Sequence, residues 1–384
     1  MPFGDDNDDV EIVLVTAEEG FCTEGGTMAT STSRIRKGRV VGVEEDELEK
    51  KVPADTFLMK KVDPGPFYSR YDGHPPDDLL RLLTGLRRHH AGAPCIFLTG
   101  DSSLDNKYWL FPGAQSASAV RRDKSSSIFT AAALNGYETV LGPRRMVRDL
   151  CYHLNKALYV ENVPAFALNC AVEASTLASR VGGCIACCIP ACPTLQDQDE
   201  IVAENIRRED VLLVSVGGND IALMPSIFTV LFMLIMLITP WFLLCFIHPS
   251  VLYFRFLFQW KVERYVRRLT QRTKPSKIGV CMIYFPDERN VDSWANAALY
   301  GLCYCCRPQL LQHRIRMCFE QATSRISIPG TTVIPIALYE ALDGKDTRDY
   351  LMRVEPSELG AIKMSELILA KLGFGKQESE GLGE

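Results

Sequence analysis

Leu98-Thr99-Gly100-Asp101-Ser102-Ser103-Leu104-Asp105-Asn106-Lys107 decides how the chain is read. The apolar run Cys95-Ile96-Phe97-Leu98 stops abruptly at Gly100 and presents Ser102 just beyond it. A buried strand that ends in a glycine and then a serine is where an α/β enzyme places a nucleophile. The rest of the chain is therefore searched for partners of Ser102.

Upstream, Pro76-Asp77-Asp78 opens a helix with Leu79, Leu82, Leu83 and Leu86 on one side. Its acidic first turn and its basic end, Arg87 to His90, suit the helix dipole. Downstream, strands are expected at Pro164–Asn169, Asp210–Val216, Lys277–Tyr284 and Thr331–Leu338. Between them, helical spacing is expected over Arg144–Leu158, Glu200–Ile206, Val262–Arg272, Pro308–Ile326 and Ser357–Leu372. In Pro308–Ile326 one face carries Leu311, Ile315, Cys318, Phe319, Ala322 and Ile326. Strands alternating with helices predict a parallel sheet covered on both faces. If the strand order is 2-1-3-4-5, the binding crevice opens beyond the ends of the first and third strands. The first ends at Ser102 and the third at Gly217-Gly218-Asn219-Asp220.

The 384 residues suffice for one large domain with insertions. Residues 1–75 read as an N-terminal extension, with strands at Glu11–Val15 and Arg39–Val43 around a Gly/Ser/Thr-rich loop. Residues 76–375 form the main domain, 114–127 a polar surface loop and 376–384 a flexible tail. A net charge of −5 offers no basic field for nucleic acid. The acidic start, Met1 to Asp9, lacks the basic-then-apolar plan of a signal peptide. With that start, fourteen cysteines fit reduced thiols in the cytoplasm better than a disulfide scaffold.

Three dispersed blocks resemble the GDSL/SGNH hydrolase superfamily. Gly100-Asp101-Ser102 with Asp105-Asn106 looks like its first block, in which the serine is the nucleophile. Asn169-Cys170-Ala171-Val172-Glu173-Ala174-Ser175-Thr176 looks like the second, which lends a backbone N–H to the oxyanion hole. A glycine usually sits there in the family; here Ala171 and Ala174 hold the candidate positions. Gly217-Gly218-Asn219-Asp220 looks like the third, where Asn219 would donate its side-chain N–H to the oxyanion. The resemblance spans residues 76–372. It implies a three-layer α/β/α sandwich with a five-stranded parallel, flavodoxin-like sheet, and a serine esterase or lipase that needs no cofactor or metal. Acyl transfer needs a nucleophile, a base and donors aimed at the developing oxyanion. Ser102, Asn219 and one of the two alanines would supply the first and third, with Asp101, Asp105, Asn106, Gly218 and Asp220 in support.

The fourth block departs from the family. Where the family carries Asp-x-x-His-Pro, this chain reads Met352-Arg353-Val354-Glu355-Pro356. Three alternatives follow. Glu355 is itself the base, if burial raises its pKa from about 4.3. A remote histidine reaches the site, with His74 and His248 the candidates. Or the site binds without hydrolysing, as a ligand-binding or membrane-attached scaffold protein.

From Ile221 to Phe254 there is no formal charge, and residues 227–247 are almost wholly apolar. The insertion 221–260 is followed by the basic run 261–277. A membrane-surface lid, buried helices and a true span are all open readings. A single span would put the two halves of one sheet on opposite sides of a bilayer, so the lid fits the order of elements best. The expected protein is thus cytoplasmic and membrane-associated, with an integral membrane protein as the alternative and an acyl or lipid ester as its substrate. The pairs Cys184/Cys187 and Cys303/Cys306 would make a zinc site only if the fold joined them; their small apolar neighbours favour buried or acylated thiols.

Overall fold

The computed structural model describes residues 60–110, 130–181, 194–244 and 247–375. The expected strands near residues 11 and 39, the 114–127 loop, the Cys184–Cys192 cluster and the tail lie outside these residues.

In chain order the strands are β1 (Cys95–Gly100), β2 (Thr130–Ala132), β3 (Arg145–Val147), β4 (Phe166–Asn169), β5 (Val211–Ser215), β6 (Lys277–Met282), β7 (Thr332–Ala337), β8 (Tyr350–Leu351) and β9 (Glu355–Pro356). Five of them form one sheet in the order β4-β1-β5-β6-β7, every pair parallel. Counted along the chain, that is the expected 2-1-3-4-5 order. Both faces of the sheet are covered. In β1, Cys95 and Phe97 enter one core while Ile96 and Leu98 enter the other. β5 alternates likewise, Leu212 and Val214 against Val211 and Leu213. Strand periodicity thus deals alternate side chains to two helical layers. One layer contains Leu150–Val160 and Glu358–Leu372; the other contains Pro76–His89, Asp197–Asn205 and Val262–Leu269. The fold is the three-layer sandwich that the sequence implied.

The compact unit begins at Lys61. The short helix Pro64–Ser69 places Phe67 and Tyr68 in its core, and Val62 bridges to Leu141.

One expectation is corrected, and one alternative finds no support. Arg144–Leu158 is not one helix. Arg145–Val147 pairs with Thr130–Ala132 as a hairpin, and the helix starts at Leu150, where the Asp149 carboxylate accepts the Tyr152 N–H at 2.8 Å. That side-chain cap fixes the start and leaves the preceding residues extended. The alternative is the true span in the apolar insertion. No helix among the described residues is long and apolar enough to cross a membrane. Ile227–Ile238 is a 12-residue helix, about 18 Å at 1.5 Å per residue, against a bilayer core of about 30 Å. It stops because Pro240 forces Thr239 into an extended conformation. The chain then turns through Trp241–Leu243 and re-enters the body as a second helix from Pro249 to Leu269, with a wide π-turn over Phe256–Lys261.

Candidate active site

The carboxyl ends of β1 and β5 lie side by side, and the Ser102 and Asn219 turns follow them. Gly100 makes this juxtaposition possible. Its φ is +136°, and a Cβ there would stand 1.8 Å from the Ser215 carbonyl oxygen. Without a side chain the two strand ends close together, and the Asp101 N–H donates to that carbonyl at 3.0 Å.

The turn is fastened from below. The Ser103 hydroxyl lies 2.7 Å from Asp101 Oδ1 and 2.6 Å from the Ser215 hydroxyl, and the Ser103 N–H donates to Asp101 Oδ1 at 3.1 Å. The Gly100 carbonyl accepts from the Val172 N–H, the Ser175 hydroxyl and Arg180 Nη2. Arg180 is fully buried and well partnered. Its Nε donates to Asp199 at 2.8 Å, its Nη1 to the Ser175 hydroxyl and its Nη2 to Gln196 as well. The Tyr265 hydroxyl adds a bond to Asp199 at 2.5 Å.

Ser102 differs from this framework. It is 9% exposed, and neither its hydroxyl nor its N–H bonds another described residue. It lines a pocket of about 1080 Å³, open mouth included, together with Asp101, Gly218, Asn219 and Glu355. Most of the remaining wall is apolar. The helix Ile227–Ile238 gives Met233, Met236 and Leu237, and the π-turned helix gives Phe254 and Phe258. Gly217, at φ +101°, leaves room for the Phe258 ring, which a Cβ would approach to 2.9 Å.

The structure sorts the other expected site residues. Asn219 lines the pocket while its Nδ2 donates to the Ser175 carbonyl at 3.0 Å, leaving one amide hydrogen over. Asp220 caps the helix Leu177–Val181 through the N–H groups of Leu177 and Ala178. Asp105 is a buried partner of Lys107 and accepts from Asn169. Asn106 accepts from the Leu150 N–H and donates to the Pro356 carbonyl at 3.1 Å, which ties the serine turn to the Glu355 segment. Neither alanine of the second block lines the pocket. The Ala171 N–H is committed to Asn169 Oδ1 at 2.9 Å, so of the two only Ala174 has an unengaged N–H among the described residues. Ala174 holds φ +54°, the left-handed conformation that explains why a glycine is usual at such a position.

Glu355 sits on the pocket wall, 1% exposed, its Oε2 without a hydrogen-bond partner. The two-stranded β8–β9 hairpin holds it there, with Leu351 opposite Glu355. Met352 and Arg353, at φ +49° and +68°, form the turn. Two left-handed non-glycine residues cost about 1–3 kcal/mol each, so other contacts must impose them. Arg353 does so, fully buried, by donating to the Asp287 carbonyl and to Asn296. The Tyr284 hydroxyl also holds the Val354 carbonyl at 2.6 Å.

Burial pushes the Glu355 carboxyl up to about 8, and the nearby Asp101 charge adds to the rise. The Trp294 indole lies close without reaching hydrogen-bond geometry and opposes the rise. Asp101 itself is raised to about 6 by burial, against the pull of its Ser103 bonds and Arg180. Glu173, outside the pocket, is also raised by burial and by the charge of Glu355.

The remote-histidine alternative fails on position. His74 is buried against Phe67, 3.9 Å ring to ring, with Nδ1 at 2.8 Å from the Phe67 carbonyl. His248 pairs with the Ser250 hydroxyl at the start of its own helix. No histidine is among the residues lining the pocket. Cys303 and Cys306 are exposed, and no group of three potential metal ligands occurs among the described residues.

No protein-family model matches the chain, and no curated protein matches it. Among solved structures the chain is similar to LAE5, an alpha/beta hydrolase enzyme from the metagenome of Lake Arreo, Spain. The identity is 12% and the TM-score 0.35, covering 75% of this chain and 99% of that one. It is also similar to Axe2, an acetylxylan esterase from Geobacillus stearothermophilus, at 10% identity and a TM-score of 0.36, over 74% of this chain and 97% of that one.

Proposed function

We propose that the protein is a serine hydrolase of acyl esters, with Ser102 as nucleophile and Glu355 as base. The observation that carries this reading is that Ser102, Asn219 and Glu355 line one apolar pocket and that Ser102 has no competing hydrogen bond. Ser102 Oγ attacks the ester carbonyl as Glu355 takes its proton. The oxyanion is met by the Ser102 N–H and the spare N–H of Asn219, with the unengaged N–H of Ala174 as the candidate third donor. Collapse forms the acyl-serine ester, and the alcohol leaves with the proton from Glu355. Water, deprotonated by Glu355, then attacks the acyl-serine; the bond to Ser102 Oγ breaks, Oγ takes the proton back from Glu355, and the acid is released. A carboxyl raised to about 8 is a stronger base than an ordinary glutamate, though it is ionised only in alkaline solution.

The substrate in this reading is a lipid ester met at a membrane surface. The helix Ile227–Ile238 is apolar on both sides. It gives Met233, Met236 and Leu237 to the pocket, while Ile227 and Ile238 are 74% and 79% exposed and Trp241 is 70% exposed. An apolar outer face continuous with an acyl pocket suits an interfacial lid. The basic helix Val262–Leu269, with Arg264 and Arg267 outermost, would favour an anionic leaflet.

A fluorophosphonate probe tests the chemistry. Wild type labels, faster above pH 8, and Ser102→Ala and Glu355→Ala do not. Absence of labelling in wild type defeats the hydrolase reading and leaves acyl-ligand binding, which the lack of a pocket histidine favours. Flotation with anionic liposomes tests the surface: wild type floats, and Trp241→Ser with Phe242→Ser does not. Equal flotation of the two overturns the lid.

A further inference from the structure

The pocket wall contains a charged side chain that the proposed chemistry does not use. Arg314, on the helix Pro308–Gln321, is 5% exposed and lines the same cavity as Ser102 and Glu355. Its Nη2 donates to the Thr239 carbonyl at 2.9 Å, at the carboxyl end of the lid helix. That end carries the negative pole of the helix and offsets part of the charge. Nε and Nη1 have no partner, and no carboxylate among the described residues pairs with the guanidinium. Burial lowers the pKa, yet a guanidinium stays charged inside proteins. A cation so enclosed is normally paired or fully hydrogen-bonded, as Arg180 is in this molecule.

We infer that Arg314 recognises an anionic oxygen group, a carboxylate or a phosphate, on the ligand that fills this pocket. The occupant is then an amphiphile, with an apolar body against Met236, Phe254 and Ile315 and anionic oxygens on Nε and Nη1. Within the ester-hydrolase reading, on which the choice of an acyl ligand rests, this narrows the substrate to acyl esters that carry a negative charge. The bond to Thr239 engages neither Nε nor Nη1, and a small shift of the side chain or of the helix end would bring them to the ligand.

Titration calorimetry with dodecanoate, dodecyl phosphate and dodecanol below their micellar concentrations tests the inference on the full chain. Wild type is expected to bind one or both anions at least about ten-fold more tightly than the alcohol, the size of a hydrogen bond to a charged group. Preference for dodecanoate identifies a carboxylate and preference for dodecyl phosphate a phosphate. In Arg314→Met the three bind within about two-fold of one another, while Arg314→Lys keeps part of the preference. Ser102→Ala keeps it in full. The inference is overturned if wild type binds the alcohol as well as the anions, if it binds none of the three, or if the preference survives in Arg314→Met. The wild-type comparison stands even if a variant fails to fold. Fluorophosphonate labelling without anion preference defeats this inference alone; anion preference without labelling defeats the hydrolase reading alone.

Discussion

Two buried arginines differ in their partners, one behind the serine turn and one in the pocket wall. Arg180, beneath the serine turn, has every guanidinium nitrogen hydrogen-bonded and one carboxylate in contact. Arg314, in the pocket wall, has one bond and two unpartnered nitrogens. The same contrast holds for their surroundings. Beneath Ser102 the hydroxyls of Ser103, Ser175 and Ser215 all find partners. Among the residues that line the cavity, Asp101 Oδ2, Trp294 Nε1 and Glu355 Oε2 find none. Buried polar groups are nearly always satisfied when their task is to hold a fold together. The floor is therefore framework, and under the proposal above a ligand would complete the bonding of the wall.

Breaking the floor has the largest expected effect. Gly100→Ala drives a methyl group into the Ser215 carbonyl and strains a left-handed φ. A loss above about 4 kcal/mol is expected, read as absent or unfolded soluble protein by circular dichroism. Next comes the direct comparison. Arg180→Met strands Asp199 and costs about 3–5 kcal/mol in urea denaturation, whereas Arg314→Met removes an unpaired charge and changes stability by no more than about 1 kcal/mol. Equal losses would erase the distinction between framework and wall.

A smaller effect separates Glu355 by pH. Its folded pKa, about 8, lies above the unfolded value of about 4.3, so the folded state holds the extra proton between them. Its contribution is fully present below the unfolded value and is lost as pH rises toward 8. Glu355→Gln should therefore gain Tm over wild type progressively from about pH 5 to pH 8, and a constant difference would refute the buried, proton-bearing state. The smallest effect is at the second block. Ala174→Gly should change stability by less than about 1 kcal/mol, while Ala174→Val, branched at a left-handed position, should lose more than that.

The sheet was legible because β1, β4 and β5 are apolar runs that end at Gly100, Asn169 and Gly217, and the three blocks sit on those ends. Glu355 was found because it stands where the fourth block of the family that the chain resembles has its histidine. Burial, hydrogen bonding and charge coupling were not legible, since they depend on which turns meet. The choice between Ala171 and Ala174 needed the Asn169 side chain in place. Arg144–Val147 read as helix because local spacing cannot reveal a hairpin partner at Thr130–Ala132. Arg314 was passed over because an amphipathic helix is expected to turn its charges outward. A faint signal existed. Arg314 adjoins Ile315, and Leu310, Leu311, Met317 and Cys318, three and four places away, offer no acid to pair with it.

The glycine at the end of β1 also sets how a ligand can come and go. With the two strand ends in backbone contact and the turn fastened by Ser103 and Arg180, the serine side has no slack for opening. The helix Ile227–Ile238 has Thr239 held by Arg314, short polar links from Ser226 and Thr229 to Tyr253, and otherwise apolar packing. Displacing it costs less than moving the turn, and an apolar surface outside would lower that cost further. If the protein is the hydrolase proposed above, ligand traffic would pass by the helix Ile227–Ile238, and turnover would be paced by its opening while Ser102 stays fixed.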